Sequence, residues 1–383
     1  MKKRILIFID WFFPGYKAGG PIQSCVGLID RLKTYFDFSV VTRNTDLWEK
    51  TPYPNVPSNQ WTYLPNGVRI YYFSKSNLKI KNIKQLLIDE DFDVLYLNSV
   101  FSFYFTIIPL MICYRLEKHF SIVLAPRGML FPESLSKKWL KKKLFIFAAK
   151  SFGLFKNVIW HAANDNEQDV ILNFFGPSTE VIIASPMPSI RQRVYVLKEK
   201  KPGELKMVYL SRIHRQKNLL GGLQYLKNIS DDQSVQFDIY GPVDDHTFWE
   251  DCQRMIKTLP KHVRVTYHGD VDHNRVSQIL SQYHFMILLT HRESFGHAIL
   301  EALATGCPVI TSDRTPWKNL KDQKAGWEVS LEKNDEVLQI VERCISMDQN
   351  EYNTWSKGAF EYAQKFFNDP EIIQKNKGLF ANV

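Results

Sequence analysis

Two glutamates eight positions apart, Glu293 and Glu301, stand out in residues 291–313, HRESFGHAILEALATGCPVITSD. An ionised carboxylate accepts hydrogen bonds through both oxygens, which suits the vicinal hydroxyls of a sugar or a ribose. Between them, Ser294-Phe295-Gly296 read as a helix start. The free N–H groups and dipole of a first helical turn suit a phosphate. A loop carboxylate, a helix start and a second carboxylate two turns in therefore describe a nucleotide-sugar site. Arg212 and Lys217, five positions apart in SRIHRQKN, add two cations. Fixed together they neutralise a diphosphate, and they stabilise its developing charge where it is the leaving group. Taken alone, the same pair reads equally as two solvent-facing bases.

These groups need rigid elements behind them. Residues 4–9, RILIFI, form an apolar run of the kind that makes a parallel strand covered on both faces. A loop with Gly19-Gly20 and a helix over 21–33 come next. The glycine pair either lets backbone N–H groups approach a phosphate or makes a plain strand-to-helix turn, and the dinucleotide pattern GxGxxG is absent. Further strands are expected at 38–42, 68–73, 93–98, 122–125, 158–160 and 181–183, with a long polar loop or lid over 43–66. Arg127 comes just after the strand at 122–125. It is the group there best able to grip an anionic or hydroxyl-rich partner, the plain alternative being a surface arginine in a turn. Residues 185–204 read as a linker. After it, strands at 206–210, 236–240, 263–268, 285–289 and 309–311 repeat the strand-loop-helix pattern, so a second doubly wound sheet is expected.

At 383 residues the chain calls for two domains, and 45% hydrophobic with 23% charged residues fits a globular protein. Five scattered cysteines without CxxC spacing argue for a reducing compartment and against a disulfide frame or zinc site. The net charge of +9 is uneven: residues 1–190 carry 23 basic against 15 acidic side chains. No signal peptide is expected, because Asp10 ends the first apolar run. Residues 94–114 lack charge over a length that could cross a bilayer, but a strand end at Asn98 and the interruption at Pro109 favour a buried strand plus core helix. The segment 133–156 reads as a basic helix. Its Lys137, Lys138, Lys141, Lys142 and Lys143 lie beside Trp139, Leu140, Leu144 and Phe147. That pattern fits contact with an anionic membrane surface, and equally a half-buried helix with a solvated lysine face.

With these residues assembled, the chain resembles the family-four glycosyltransferases, retaining enzymes of the GT-B fold. ESFGHAILEALATGCPVI resembles the family's E-x7-E signature, LSRIHRQKN its Arg…Lys donor loop, and FDIYGP, YHGDV and Gly19-Gly20 fall in the family's order. The resemblance implies an α/β fold of two Rossmann-like domains facing across a cleft: an acceptor domain over 1–190, a donor domain over 191–350, and C-terminal helices over 351–383 packing back across both. It implies that Gly19, Gly20, Arg212 and Lys217 contact the donor diphosphate, with Gly241 on the same side. Glu293 would meet the donor sugar, Ser294, Phe295 and Gly296 would bring backbone near sugar and phosphate, and Glu301 would bind the ribose. Glu293, Arg212 and Lys217 would carry the chemistry. Arg127 and Asn98 would serve the acceptor, and His297 would either face it or pack.

The resemblance further implies transfer of a sugar from a nucleotide sugar, UDP-linked before GDP-linked, to a glycan or polyprenyl-linked acceptor of bacterial surface polysaccharide. No cofactor, metal or nucleic-acid partner is expected. Asp231-Asp232 and Asp244-Asp245 sit in helix-end or loop settings unsuited to a DxD site. A cytoplasmic protein, able to sit at the inner face of the plasma membrane, is expected. The chain departs from the pattern at Ser211, where glycine is usual, at Arg127-Gly128, where many relatives carry histidine-glycine, and at Ser185-Pro186-Met187-Pro188, where Asn-Gly is usual. The competing readings are a nucleotide-sugar epimerase of the same fold, which lacks the two signatures, and a basic nucleic-acid or membrane binding module, for which no reader motif is present.

Overall fold

The computed structural model describes residues 2–116, 118–136, 139–188 and 195–383. Lys137, Lys138 and the middle of the expected linker lie outside them. The chain divides into two units, residues 1–190 with 370–383, and residues 191–369.

The first unit runs β1 (Arg4–Phe8), α1 (Gly20–Leu32), β2 (Asp37–Arg43), β3 (Trp61–Tyr63), β4 (Arg69–Phe73), α2 (Ile80–Asp89) and β5 (Val94–Asn98). A π-helical turn (Phe103–Ile107) leads into α3 (Ile108–Cys113). Then come β6 (Ser121–Ala125), α4 (Pro132–Ser136), α5 (Trp139–Ser151), β7 (Val158–Ala162), α6 (Asp165–Phe175) and β8 (Val181–Ile183). Its eight strands are ordered β3-β4-β2-β1-β5-β6-β7-β8, all neighbours parallel except β3 with β4. Alternation in β1 shows why the sheet is buried on both sides. Ile5 and Ile7 enter one apolar cluster with α1, and Leu6 and Phe8 enter the other with α2 and α3.

The second unit runs β9 (Glu204–Leu210), a 3-10 turn (Arg215–Lys217), α7 (Leu219–Gln224), β10 (Ser234–Tyr240), α8 (His246–Ile256), β11 (Val263–Tyr267), α9 (His273–Leu280), β12 (Phe285–Leu288), α10 (His297–Leu303), β13 (Val309–Ser312), β14 (Gly326–Val329), α11 (Asn334–Ser346) and α12 (Gln349–Asn368). The last helix, α13 (Pro370–Ala381), belongs to the first unit, where Lys3 Nζ donates to the carbonyls of Phe380, Ala381 and Val383. The second sheet is ordered β11-β10-β9-β12-β13-β14, wholly parallel.

Two parallel doubly wound units match the expected fold class. Strand order reverses between β1 and β5 in the first sheet and between β9 and β12 in the second. Such reversals open a crevice at the carboxyl ends, where ligands bind in this architecture.

Local expectations fared unevenly. The uncharged run 94–114 is a strand, a π-helical turn and a six-residue helix, and among the described residues no helix is long and apolar enough to cross a membrane. The expected lid over 43–66 contributes β3, whose three residues pair antiparallel with β4. Strand β14 and helix α6 carry too short or too mixed a pattern to read from periodicity. Helices α4 and α5 lie within the expected basic helix, on either side of Lys137 and Lys138, which are outside the described residues.

Candidate active site

In the second unit, the loops after β9 and β12 flank the reversal of strand order, and they are stitched together. His291 N and Thr290 Oγ1 donate to Gln216 O at 2.8 and 3.0 Å, and Gln216 Nε2 returns to Arg292 O at 3.3 Å. Asn218 stands in the left-handed region at φ 52°. Its Oδ1 accepts from Gly221 N to cap α7, and its Nδ2 donates to Leu289 O at 3.0 Å. This stitching brings Lys217 Nζ onto Glu293 Oε2 in a short ion pair, both side chains about five-sixths buried (15% and 16% exposed).

Glu293 is tucked in by Gly296. At φ 84°, a Cβ there would lie 3.0 Å from Glu293 Cγ and 3.1 Å from Trp317 Nε1. Phe295 packs against Trp317 and Phe366, its carbonyl accepting from Trp317 Nε1. His297 meets the Phe295 ring edge-on at 4.7 Å, which favours the packing role.

Arg212 lies in the same loop as Lys217 but is half exposed, and its Nη1 pairs with Asp244 at 3.2 Å. Gly241 holds that loop close. It adopts φ 136°, and a Cβ would come within 1.9 Å of Ser211 O, so only glycine fits. Asp245 caps α8 through Phe248 N and also pairs with Arg215. Among the described residues no three His, Cys, Asp or Glu side chains converge as a metal site. Glu301, in α10, lies 3.5 Å from His273 Nδ1 at the start of α9.

In the first unit, Gly19 has φ 69°, and a Cβ would meet nothing within 4 Å, so the backbone before α1 is open to approach. The preceding loop is braced by Asp46, whose Oδ2 accepts from Tyr16 N at 2.9 Å and Lys17 N at 3.2 Å, and by Tyr72 OH on Phe13 O at 2.6 Å. Arg127 turns inward. Its Nε and Nη2 donate to Asn98 Oδ1 at 3.1 and 2.9 Å, and Nη2 also to Tyr96 OH at 2.8 Å. Asn98 thus spends its carbonyl inside the unit, and its Nδ2 is buried without a partner.

Comparison with known proteins bears directly on this geometry. Residues 196–361 match the family described as glycosyl transferases group 1. The second unit is a group 1 glycosyltransferase domain. A Klebsiella pneumoniae protein described as lying in the cps region is 23% identical over 321 residues, covering 78% of this chain and 81% of its own. Sucrose-phosphate synthase from Thermosynechococcus elongatus superposes with a TM-score of 0.72 at 16% identity, covering 100% of this chain and 99% of the other. HepE from Anabaena, solved in complex with UDP-glucose, gives 0.69 at 15% identity with both chains covered in full. At these identities the two structures establish the GT-B fold.

Sequence reasoning did not single out several residues that shape these loops. Gln216 and Asn218 could have been found, because an asparagine three residues before Gly221 at a helix start is a capping signal. Asp46, Trp317 and His273 had no local signal. Their contacts join segments far apart in sequence, such as Asp46 with Tyr16 across 30 positions.

Proposed function

We propose that the chain is a retaining, metal-independent glycosyltransferase that moves a sugar from a nucleotide-diphosphate sugar, UDP-linked before GDP-linked, to a glycan or polyprenyl-linked acceptor of bacterial surface polysaccharide. The observation that carries this reading is the Lys217–Glu293 pair, set across the strand-order reversal of a group 1 domain. The names of the relatives agree with it: one lies in a cps region, and another was solved with UDP-glucose.

On this reading Arg212 and Lys217 hold the diphosphate, Glu293 accepts from donor-sugar hydroxyls, and Glu301 takes the ribose diol. Positive charge beside the departing diphosphate lowers the barrier to breaking its bond to the anomeric carbon. The acceptor oxygen adds on the same face, and the leaving phosphate takes its proton. A thermal-shift panel with UDP-glucose, GDP-mannose and ADP-glucose tests the donor. A ligand bound only by the folded state raises stability, by about 2.7 kcal/mol at a hundred times its Kd. One nucleotide class is expected to raise Tm and to be consumed. If none does, the reading fails.

The same reading includes a peripheral membrane contact. On α5, Leu140, Leu144 and Phe147 recur at helical spacing and are 57%, 60% and 70% exposed, with Phe152 just beyond the helix at 89%. Lys141 and Lys143 flank this ridge, whereas Lys142 folds back to Ser134 O and over the Phe101 ring and Lys150 donates to Phe174 O. An apolar ridge edged with lysines is complementary to an anionic bilayer. Flotation with phosphatidylglycerol vesicles should carry the wild type upward and leave Phe147→Ser behind. Absence of wild-type binding at moderate salt would remove the contact.

A further inference from the structure

Arg127 carries a charge with no ion-pair partner, the buried Glu167 carboxylate acting on it only at longer range. It stands beyond β6 at φ 54°, and the three groups around its guanidinium are neutral: the Asn98 carboxamide, the Tyr96 phenol and, at 3.9 Å from Nη2, the Cys25 thiol. Burial pushes the Tyr96 and Cys25 pKa values up, so both keep their protons at neutral pH. Beyond Tyr96 lies His161, whose Nδ1 accepts from the Tyr96 hydroxyl while its Nε2 donates to Ala184 O; burial holds it down to about 3, so it is neutral too. Glu167 accepts from Gly128 N at 2.6 Å and Ala163 N at 2.8 Å and makes no ion pair with Arg127.

Two features turn this from a brace into a site. A cation withdrawn from water with only a distant carboxylate to answer it is costly, and a neutral hydrogen-bond network does not repay it. The guanidinium is also incompletely used: Nε and Nη2 are engaged, whereas Nη1 has no partner among the described residues and is not one of the sealed, unpartnered polar atoms. Arg127 as a whole is half-buried, just past the carboxyl end of β6.

We propose that Arg127 binds an oxyanion, a phosphate or carboxylate group of a substrate, through Nη1, with Asn98 and Tyr96 as positioning residues that fix the guanidinium. The placement rests on the transferase reading above, under which the anion comes either from the donor diphosphate or from an acidic acceptor sugar. A guanidinium locked on one edge presents its free edge at fixed geometry to such a group.

The full chain, labelled with 15N-arginine, tests this with four probes: inorganic pyrophosphate, UDP, methyl β-D-glucuronide and the neutral methyl β-D-glucoside. The Arg127 Nε–H resonance, assigned by its absence in Arg127→Lys, is expected to shift saturably with at least one anion and not with the glucoside. In thermal-shift titrations Arg127→Met should weaken that anion at least tenfold. Loss confined to pyrophosphate and UDP assigns the donor diphosphate, and loss confined to the glucuronide assigns an acidic acceptor. An unmoved resonance with all three anions overturns the proposal, as does equal binding of every probe by wild type and variant. If Arg127→Met does not fold, the wild-type resonance decides alone. Failure of UDP-glucose to bind, with Arg127 still titrated by an anion, would defeat the donor reading and leave this one standing.

Discussion

The two units solve the same problem differently. In the second, the cation at the strand-order reversal is answered by a carboxylate: Lys217 by Glu293, with Arg212 answered by Asp244 in the adjoining loop. In the first, the cation beside the reversal is answered by a carboxamide, a phenol and a thiol. A paired cation can exchange its partner for a phosphate at little electrostatic cost. A cation held directly by neutral groups, with a carboxylate only at longer range, keeps most of its charge for whatever arrives. The second unit is thus built to rearrange around a ligand, and the first unit to present a fixed charge.

The largest expected effect tests the paired side. Glu293→Gln and Lys217→Met should each lower turnover of UDP-glucose by a hundredfold to a thousandfold, the range for loss of one transition-state contact, and should also lower Tm, because each leaves the other member of a largely buried pair unanswered. Full activity in both would break the comparison on the side of the second unit.

Next comes the backbone behind each cation. Gly241→Ala would drive a Cβ to 1.9 Å from Ser211 O at φ 136°, and should destabilise the second unit by about 3 kcal/mol. Gly19→Ala meets no atom within 4 Å and pays only for its φ of 69°, about 1 kcal/mol. Urea unfolding of both variants measures the contrast. Equal losses would mean that the Gly19 loop is packed after all.

Each unit also buries one neutral histidine in the same tautomer. His161 joins Tyr96 to Ala184 O, and His284 takes Lys206 N on Nδ1 and donates from Nε2 to Glu199 O. Burial lowers them to about 3 and about 4. Above the ordinary histidine pKa of about 6.5 both states are neutral and stability is unaffected. As pH falls below that, the unfolded chain takes up protons that the folded chain refuses, so stability declines until the folded pKa is reached. The slope should be about 1.4 kcal/mol per pH unit for each histidine. Stability flat between pH 7 and 5 would show that water reaches these rings.

The same contrast governs how legible each unit is in the sequence. Strand runs such as 4–9 and 285–288 are continuous apolar stretches, so both sheets could be read directly. The Lys217–Glu293 pair could be read because its charges stand at strand ends, visible even though the two are 76 positions apart. Arg127 was visible as a residue but not in its setting. Its partners come from 29 and 102 positions away and are uncharged types, common in any core. Short elements also escaped: β3 has three residues, and its pairing with β4 is set by tertiary packing rather than by pattern.

The smallest effect probes the stitching itself. Asn218 does two things at once: Oδ1 caps α7, and Nδ2 ties the Lys217 loop to Leu289 O. Losing a cap alone costs about 1 kcal/mol. If the tie also places Lys217 on Glu293, Asn218→Ala should lose turnover as well as stability, whereas Asn218→Asp, which can still cap but cannot donate to Leu289 O, should keep most of the stability and lose only turnover. Calorimetry and UDP release measured on both variants separate the two roles. Unchanged turnover in Asn218→Asp would show that the pair across the reversal is held by Gln216 and the backbone alone, and that the second unit is as rigid as the first.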